Sequence, residues 1–161
     1  MSDVHIIKPP NNLQKAKEGS GKAKLDPAVL QRAEKVVEDI QKNYTDWADE
    51  DLGALEAALT RLQAGDDEKE KAVKDLYRIS LDLKGGGGSF GYLMMSEVAG
   101  SLNNFLSRRT DFSALDMDVI VAHVSALRAI YSESVRDDGG NTGRALLAGL
   151  EKLIRKADTA V

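Results

Sequence analysis

The amino-acid sequence predicts an all-α protein, an antiparallel bundle of amphipathic helices. Three observations predict it. From Asp26 onward, apolar residues recur at three- and four-residue steps. All three Pro lie at or before position 27, which leaves the rest of the chain free of the strongest helix breaker. No segment shows the strict apolar–polar alternation of a half-buried strand. Helical segments joined by short loops become neighbours in space, and each must hide its apolar stripe against the others.

The elements follow in order. Asp26-Pro27 supplies an N-cap and a Pro at the first helical position, ahead of Val29, Leu30, Ala33, Val36, Val37, Ile40 and Tyr44. A second helix is expected from near Asp46, carrying Leu52, Leu55, Leu59 and Leu62 until Gly65 stops it. Asp67 and Glu70 have capping-box spacing and open a third, through Ala72, Leu76, Ile79 and Leu83. The fourth runs from about Tyr92 to Ser107. The fifth, from about Asp116 to Val135, uses Met117, Ile120, Val124, Leu127 and Tyr131. After the turn signal of Asp137 to Asn141, a sixth carries Leu146, Leu147, Leu150, Leu153 and Ile154.

A length of 161 residues bounds the chain to one domain with a sizeable core. No apolar run approaches the roughly 18 residues of a membrane span. With no Cys, thiolate nucleophiles, disulfides and thiolate metal sites are excluded, and two distant His, His5 and His123, do not make a metal centre. No cofactor is implied. Residues 1–24 carry five Lys against two acids and read as a solvated, mobile arm; the body, 25–161, carries 17 bases against 24 acids and forms the helical domain. That acidity argues against nucleic acid as a partner. The oligomeric state is left open, with a monomer favoured.

The informative segment is Tyr77 to Tyr92, where five of the 14 Gly fall between Gly85 and Gly91. At about 100° per residue, Ala72, Leu76, Ile79 and Leu83 cluster within roughly 60° and mark the buried stripe. Leu81 points about 170° away from the centre of that stripe. If the helix persists through the glycines, Tyr77, Lys84, Gly85 and Gly88 share the far face with Leu81. Otherwise Gly85 to Gly88 simply end the helix as a loop, since four Gly in a helix cost about 1 kcal/mol each relative to Ala. A phosphate-cradling P-loop does not fit, because Lys84 precedes the glycines and no strand leads into them.

Lys84-Gly85, Gly91 and the apolar residues around them resemble the signature of histidine phosphotransfer (HPt) domains, in which His-x-x-Lys-Gly is followed by small residues and a further Gly. Counting back three from Lys84 lands on Leu81. Tyr77-Arg78-Ile79-Ser80 and Ser89-Phe90-Gly91-Tyr92 are similar to a bacterial subgroup with a Phe-Gly-Tyr ending. So are the stretches Ser101 to Leu106 and His123 to Arg128. The resemblance spans most of residues 25–157 and implies an HPt-type four-helix bundle with additional N-terminal helices, working in a cytoplasmic two-component phosphorelay.

In that family an exposed His accepts a phosphoryl group from the Asp of a response-regulator receiver domain and passes it on. A nearby Lys offsets charge on the phosphoryl oxygens, and Gly lets the receiver come close. Lys84 and Gly85 match the last two roles. Leu81 has no lone pair and cannot be phosphorylated, so the resemblance implies no catalytic residue at this position. The expected protein docks a receiver through Tyr77, Leu81, Lys84, Gly85 and Gly88 without phosphotransfer, and is not an enzyme. Two further readings fit the same residues: a variant of a working phosphotransfer protein, or a helical adaptor with an unrelated partner. His123 is expected as a satisfied histidine at the core edge, and Asp82, Glu97, Asp116 and Asp118 show no arrangement that sets a catalytic pair apart from a solvated helical face.

Overall fold

A computed structural model describes residues 26–65 and 68–160 and contains five helices, with no strand among the described residues. They are α1 (Pro27–Ala64), α2 (Lys69–Ser89), α3 (Leu93–Ser107), α4 (Ala114–Ser132) and α5 (Gly140–Thr159). The chain divides into two units, Met1–Glu38 and Asp39–Val161. None of the described helices is long and apolar enough to cross a membrane.

The expected break near Asp46 does not occur, and the first two anticipated helices are one, α1. Thr45 does not cap a new helix: its Oγ1 donates back to the Lys42 carbonyl at 2.7 Å, as Thr does inside a helix. Tyr44, Ala48, Leu52 and Leu55 then keep one register and all are buried. In the first unit, Asp26 caps the helix as expected, its Oδ1 accepting from the Ala28 N–H at 3.0 Å. The Asp67 half of the anticipated capping box, the basic arm and His5 lie outside the described residues. Helix α4 starts two residues earlier than expected, because Ser113 rather than Asp116 is its N-cap. The Ser113 hydroxyl accepts from the Asp116 N–H, and the Asp116 carboxylate accepts from the Ser113 N–H.

Within the second unit, α3 is the central helix, packed against α2, α4 and α5. Its Met94, Met95, Val98, Leu102 and Phe105 meet Leu76, Ile79 and Leu83 of α2 and Ile120 and Leu127 of α4 in one core. The α1 segment joins through Leu52 and Leu55 and through a clamp. Arg128 of α4 grips Glu56 with two hydrogen bonds of 2.7 and 2.8 Å and reaches Asp49 at 2.7 Å.

Candidate functional site

Helix α2 runs through the glycines to Ser89, so the extended-helix alternative is the one observed. Several bonds offset the poor helix propensity of Gly. The Ser96 hydroxyl donates to the Lys84 carbonyl at 2.6 Å and the Ser89 hydroxyl to that of Gly85 at 3.0 Å. Beyond the C-cap, Gly91 adopts φ of +81°, and the Tyr92 N–H donates to the Gly87 carbonyl at 2.8 Å. That is the closing bond of a Schellman end, and it requires the left-handed residue that Gly provides.

The four glycines have different physical reasons. A Cβ on Gly87 would stand 2.9 Å from the Ser96 nitrogen and 3.0 Å from the Tyr92 carbonyl oxygen, both backbone atoms. Here the α2 and α3 backbones touch. A Cβ on Gly86 would meet Tyr44 Cε2 at 2.7 Å, where the Tyr44 ring stacks on Phe90 with centroids 4.7 Å apart. Gly88 faces the Ser96 hydroxyl at an ordinary 3.4 Å, and Gly85 has nothing within 4 Å. Packing therefore requires Gly86 and Gly87, whereas no internal contact requires Gly85.

Leu81 lies one turn before Gly85 on the exposed side of α2, 47% accessible, and Tyr77, a turn earlier, is 40% accessible. Lys84, Gly85 and Gly88 are exposed as well, so all five residues expected on the face are accessible on one helix. They are not equivalent. Lys84 lays its stem toward α3, where Gly100 leaves room: a Cβ there would stand 3.4 Å from Lys84 Cδ. A cleft of about 710 Å³ runs along that side, lined by Lys84, Ser96, Gly100, Asn104 and Arg108. On the other side a cleft of about 390 Å³ is lined by Trp47, Asp51, Asp82, Gly86 and Phe90. Leu81 and Gly85 thus stand on a ridge between two grooves. Burial, and then the charge of Asp82, push the Asp51 carboxyl above its ordinary range, while Arg78 opposes the shift.

The ridge is held from behind by a polar contact that the apolar periodicity does not reveal. Asn103 of α3 donates from Nδ2 to the Tyr77 carbonyl at 2.9 Å and to Ser80 Oγ at 3.1 Å, and the Ser80 hydroxyl donates to the same carbonyl at 2.8 Å. Asn103 and Ser80 are both buried. The signal available in the sequence is an Asn on the apolar side of a helix opposite a Ser on the facing stripe.

His123 is fully buried rather than at the core edge. Its Nδ1 is 2.7 Å from the Val119 carbonyl, so Nδ1 carries the proton and Nε2 accepts from the Ser101 hydroxyl at 3.0 Å. Burial pushes the imidazole below its ordinary 6.5, although the bond to Val119 opposes the shift. This His has no exposed nitrogen for an incoming group. Among the four acids, Asp116 is buried within its capping box, 3.1 Å from Arg109 Nε, and Asp82 pairs with Arg78 at 3.2 Å. Glu97 and Asp118 are exposed. On the ridge itself the side chains can supply apolar contact, one phenol and one cation. No family model matches the chain, and no curated protein or solved structure is significantly similar to it.

Proposed function

We propose that the protein is an HPt-like docking partner in a phosphorelay, which binds a response-regulator receiver domain and does not carry phosphate. In this proposal the bundle is of HPt type, with α2 to α5 as its four helices and α1 as the N-terminal addition. The observation that carries it is the exposed Leu81, with Tyr77 one turn before it and the open Gly85 one turn after it. A solvent-facing Leu on an otherwise polar helix face is common and by itself means little. Here it sits beside a Gly that no internal contact requires, at the point where the HPt resemblance places the phospho-acceptor.

The physical logic is that of a contact surface. Burying Leu81 against a partner contributes roughly 1.5–3 kcal/mol. Gly85 lets the partner's loops reach the helix backbone, and Lys84, held along α3 by the gap at Gly100, presents a positive charge to an acidic receiver pocket. The isobutyl group has neither a proton to lose nor a lone pair to attack with, so a phosphorylated receiver bound here keeps its phosphate. The protein then acts by occupancy, sequestering the receiver or holding it in one state. The test is competition: the full chain should displace an active phosphotransfer domain from its receiver, while taking up no label from the phosphorylated receiver.

A further inference from the structure

The groove on the Trp47 side of the ridge is a second surface, separate from the face around Leu81. Tyr44, Trp47 and Asp51 line it from successive turns of α1, and Asp82, Gly86 and Phe90 from successive turns of α2 and its C-cap. Gly86 keeps it open: a side chain there would collide with the Tyr44 ring, which stacks on Phe90 and has its centroid 5.2 Å from that of Tyr92. Trp47, the chain's only Trp, is left 58% accessible at this place.

The chemistry of the lining selects an occupant. Aromatic faces are negative, and Trp attracts a cation more strongly than Tyr or Phe does. Three carboxylates add to this, Glu50, Asp51 and Asp82, and no Lys or Arg lines the groove. Arg78 pairs with Asp82 at 3.2 Å, whereas Glu50 and Asp51 form no ion pair among the described residues. Burial, and then the charge of Asp82, raise the Asp51 carboxyl, and a bound cation relieves the second of these. An anion is repelled here, and an apolar ligand would strip water from two unpaired carboxylates. A bare metal ion does not fit, because among the described residues no group of three or more acids, His or Cys is placed to hold one. An organic cation does fit. A guanidinium suits the lining best, since it stacks on an aromatic face and forks to carboxylates.

We propose that this groove seats an Arg side chain of a protein partner, with its guanidinium on Trp47 and facing Glu50 and Asp51. At about 390 Å³ the groove lies at the small end of ligand sites, and it is open to solvent. That shape suits a side chain held at its root by a polypeptide better than a free small molecule, which a site buries on most sides. The chain's own basic segment, 1–24, holds five Lys and no Arg, so the guanidinium comes from a separate polypeptide. The assignment concerns the groove and not the ridge, and it holds whatever docks at Leu81.

The emission of Trp47 reads the site directly, since no other Trp contributes. The full chain is titrated at constant ionic strength with the blocked peptide acetyl-Gly-Arg-Gly-amide, and with the same peptide carrying citrulline, which keeps the shape of Arg without its charge. The Arg peptide should change the emission saturably, with Kd on the order of 1–10 mM for one anchoring side chain, and the citrulline peptide should bind about fivefold more weakly or worse. Glu50→Gln combined with Asp51→Asn should weaken the Arg peptide by about fivefold or more without lowering the thermal transition, since the two acids have no ion pair to lose. Leu81→Ala, outside the groove, should leave this Kd unchanged. No saturable change up to about 50 mM, equal binding of the two peptides, or a double variant that binds as the parent does overturns the proposal. So does a gain of about tenfold in affinity when residues 1–24 are deleted, which would make that segment the occupant.

Discussion

Ser101 of α3 and His123 of α4 are joined by a hydrogen bond of 3.0 Å that ties two core helices together through a neutral imidazole. The His is neutral because burial disfavours its charged form. The unfolded chain takes up a proton at this residue near pH 6.5, and the folded chain only at lower pH. Stability therefore rises with pH across that window and is lost as pH falls below about 6.5. The melting temperature should drop between pH 7.5 and 5.5. His123→Gln should be less stable at pH 7.5, by about 1–3 kcal/mol, with a flatter profile over the same window. An unchanged profile in the variant would place the pH dependence elsewhere.

The two kinds of Gly in α2 should respond in opposite directions to one substitution. Gly85→Ala adds a methyl group into open space and removes a helix-interior Gly, so it should stabilise by about 0.5–1 kcal/mol. Gly87→Ala makes the same gain in propensity but forces its Cβ against the backbone of Tyr92 and Ser96. Overpacking of this kind costs about 1–3 kcal/mol, and a net loss of stability is expected in urea or thermal unfolding.

Removing the Asn103 side chain should loosen the ridge from behind. Asn103→Ala removes a donor from the buried Ser80 hydroxyl and from the Tyr77 carbonyl, for an expected cost of about 1–3 kcal/mol. Hydrogen exchange should locate the loss in the first half of α2 and the facing turns of α3. A uniform loss across the body would contradict a local role.

The Arg128 clamp should depend on the shape of the guanidinium as well as its charge. Bonding to Arg128 lowers the Glu56 carboxyl below its ordinary range, but both partners are partly exposed and screened by solvent. Arg128→Ala should therefore cost only about 1 kcal/mol. Arg128→Lys should recover little of it, because an ammonium cannot make the paired bonds to Glu56. Equal stability of the Lys variant and the parent in thermal unfolding would refute the bidentate account.

Helix identity was legible wherever an apolar stripe kept one register, as along Ala72, Leu76, Ile79 and Leu83. The misplaced break at Asp46 shows the limit. Thr45-Asp46 has the composition of a cap, yet the stripe from Tyr44 through Ala48 to Leu52 continues in phase, and packing outweighs the local preference. Ser113 was missed for the opposite reason: its neighbours Ala114 and Leu115 carry the helix N-terminal to the residues that show the period.

At the site, the exposure of Leu81 followed from its angle to the stripe alone. The separate duties of Gly85, Gly86 and Gly87 did not, because they depend on how closely α3 and Tyr44 approach, which no local pattern encodes. Neither did the fate of His123: a ring about 80° from the stripe centre is an edge position on an isolated helix, and α3 closes over it.

The most direct measurement is calorimetric titration of the full chain with receiver domains from the same cell, comparing the parent with Leu81→Glu. The parent should bind a receiver, and Leu81→Glu should weaken that binding at least tenfold with its melting temperature unchanged. No binding to any receiver, or equal binding by the variant, would contradict docking through the Leu81 ridge.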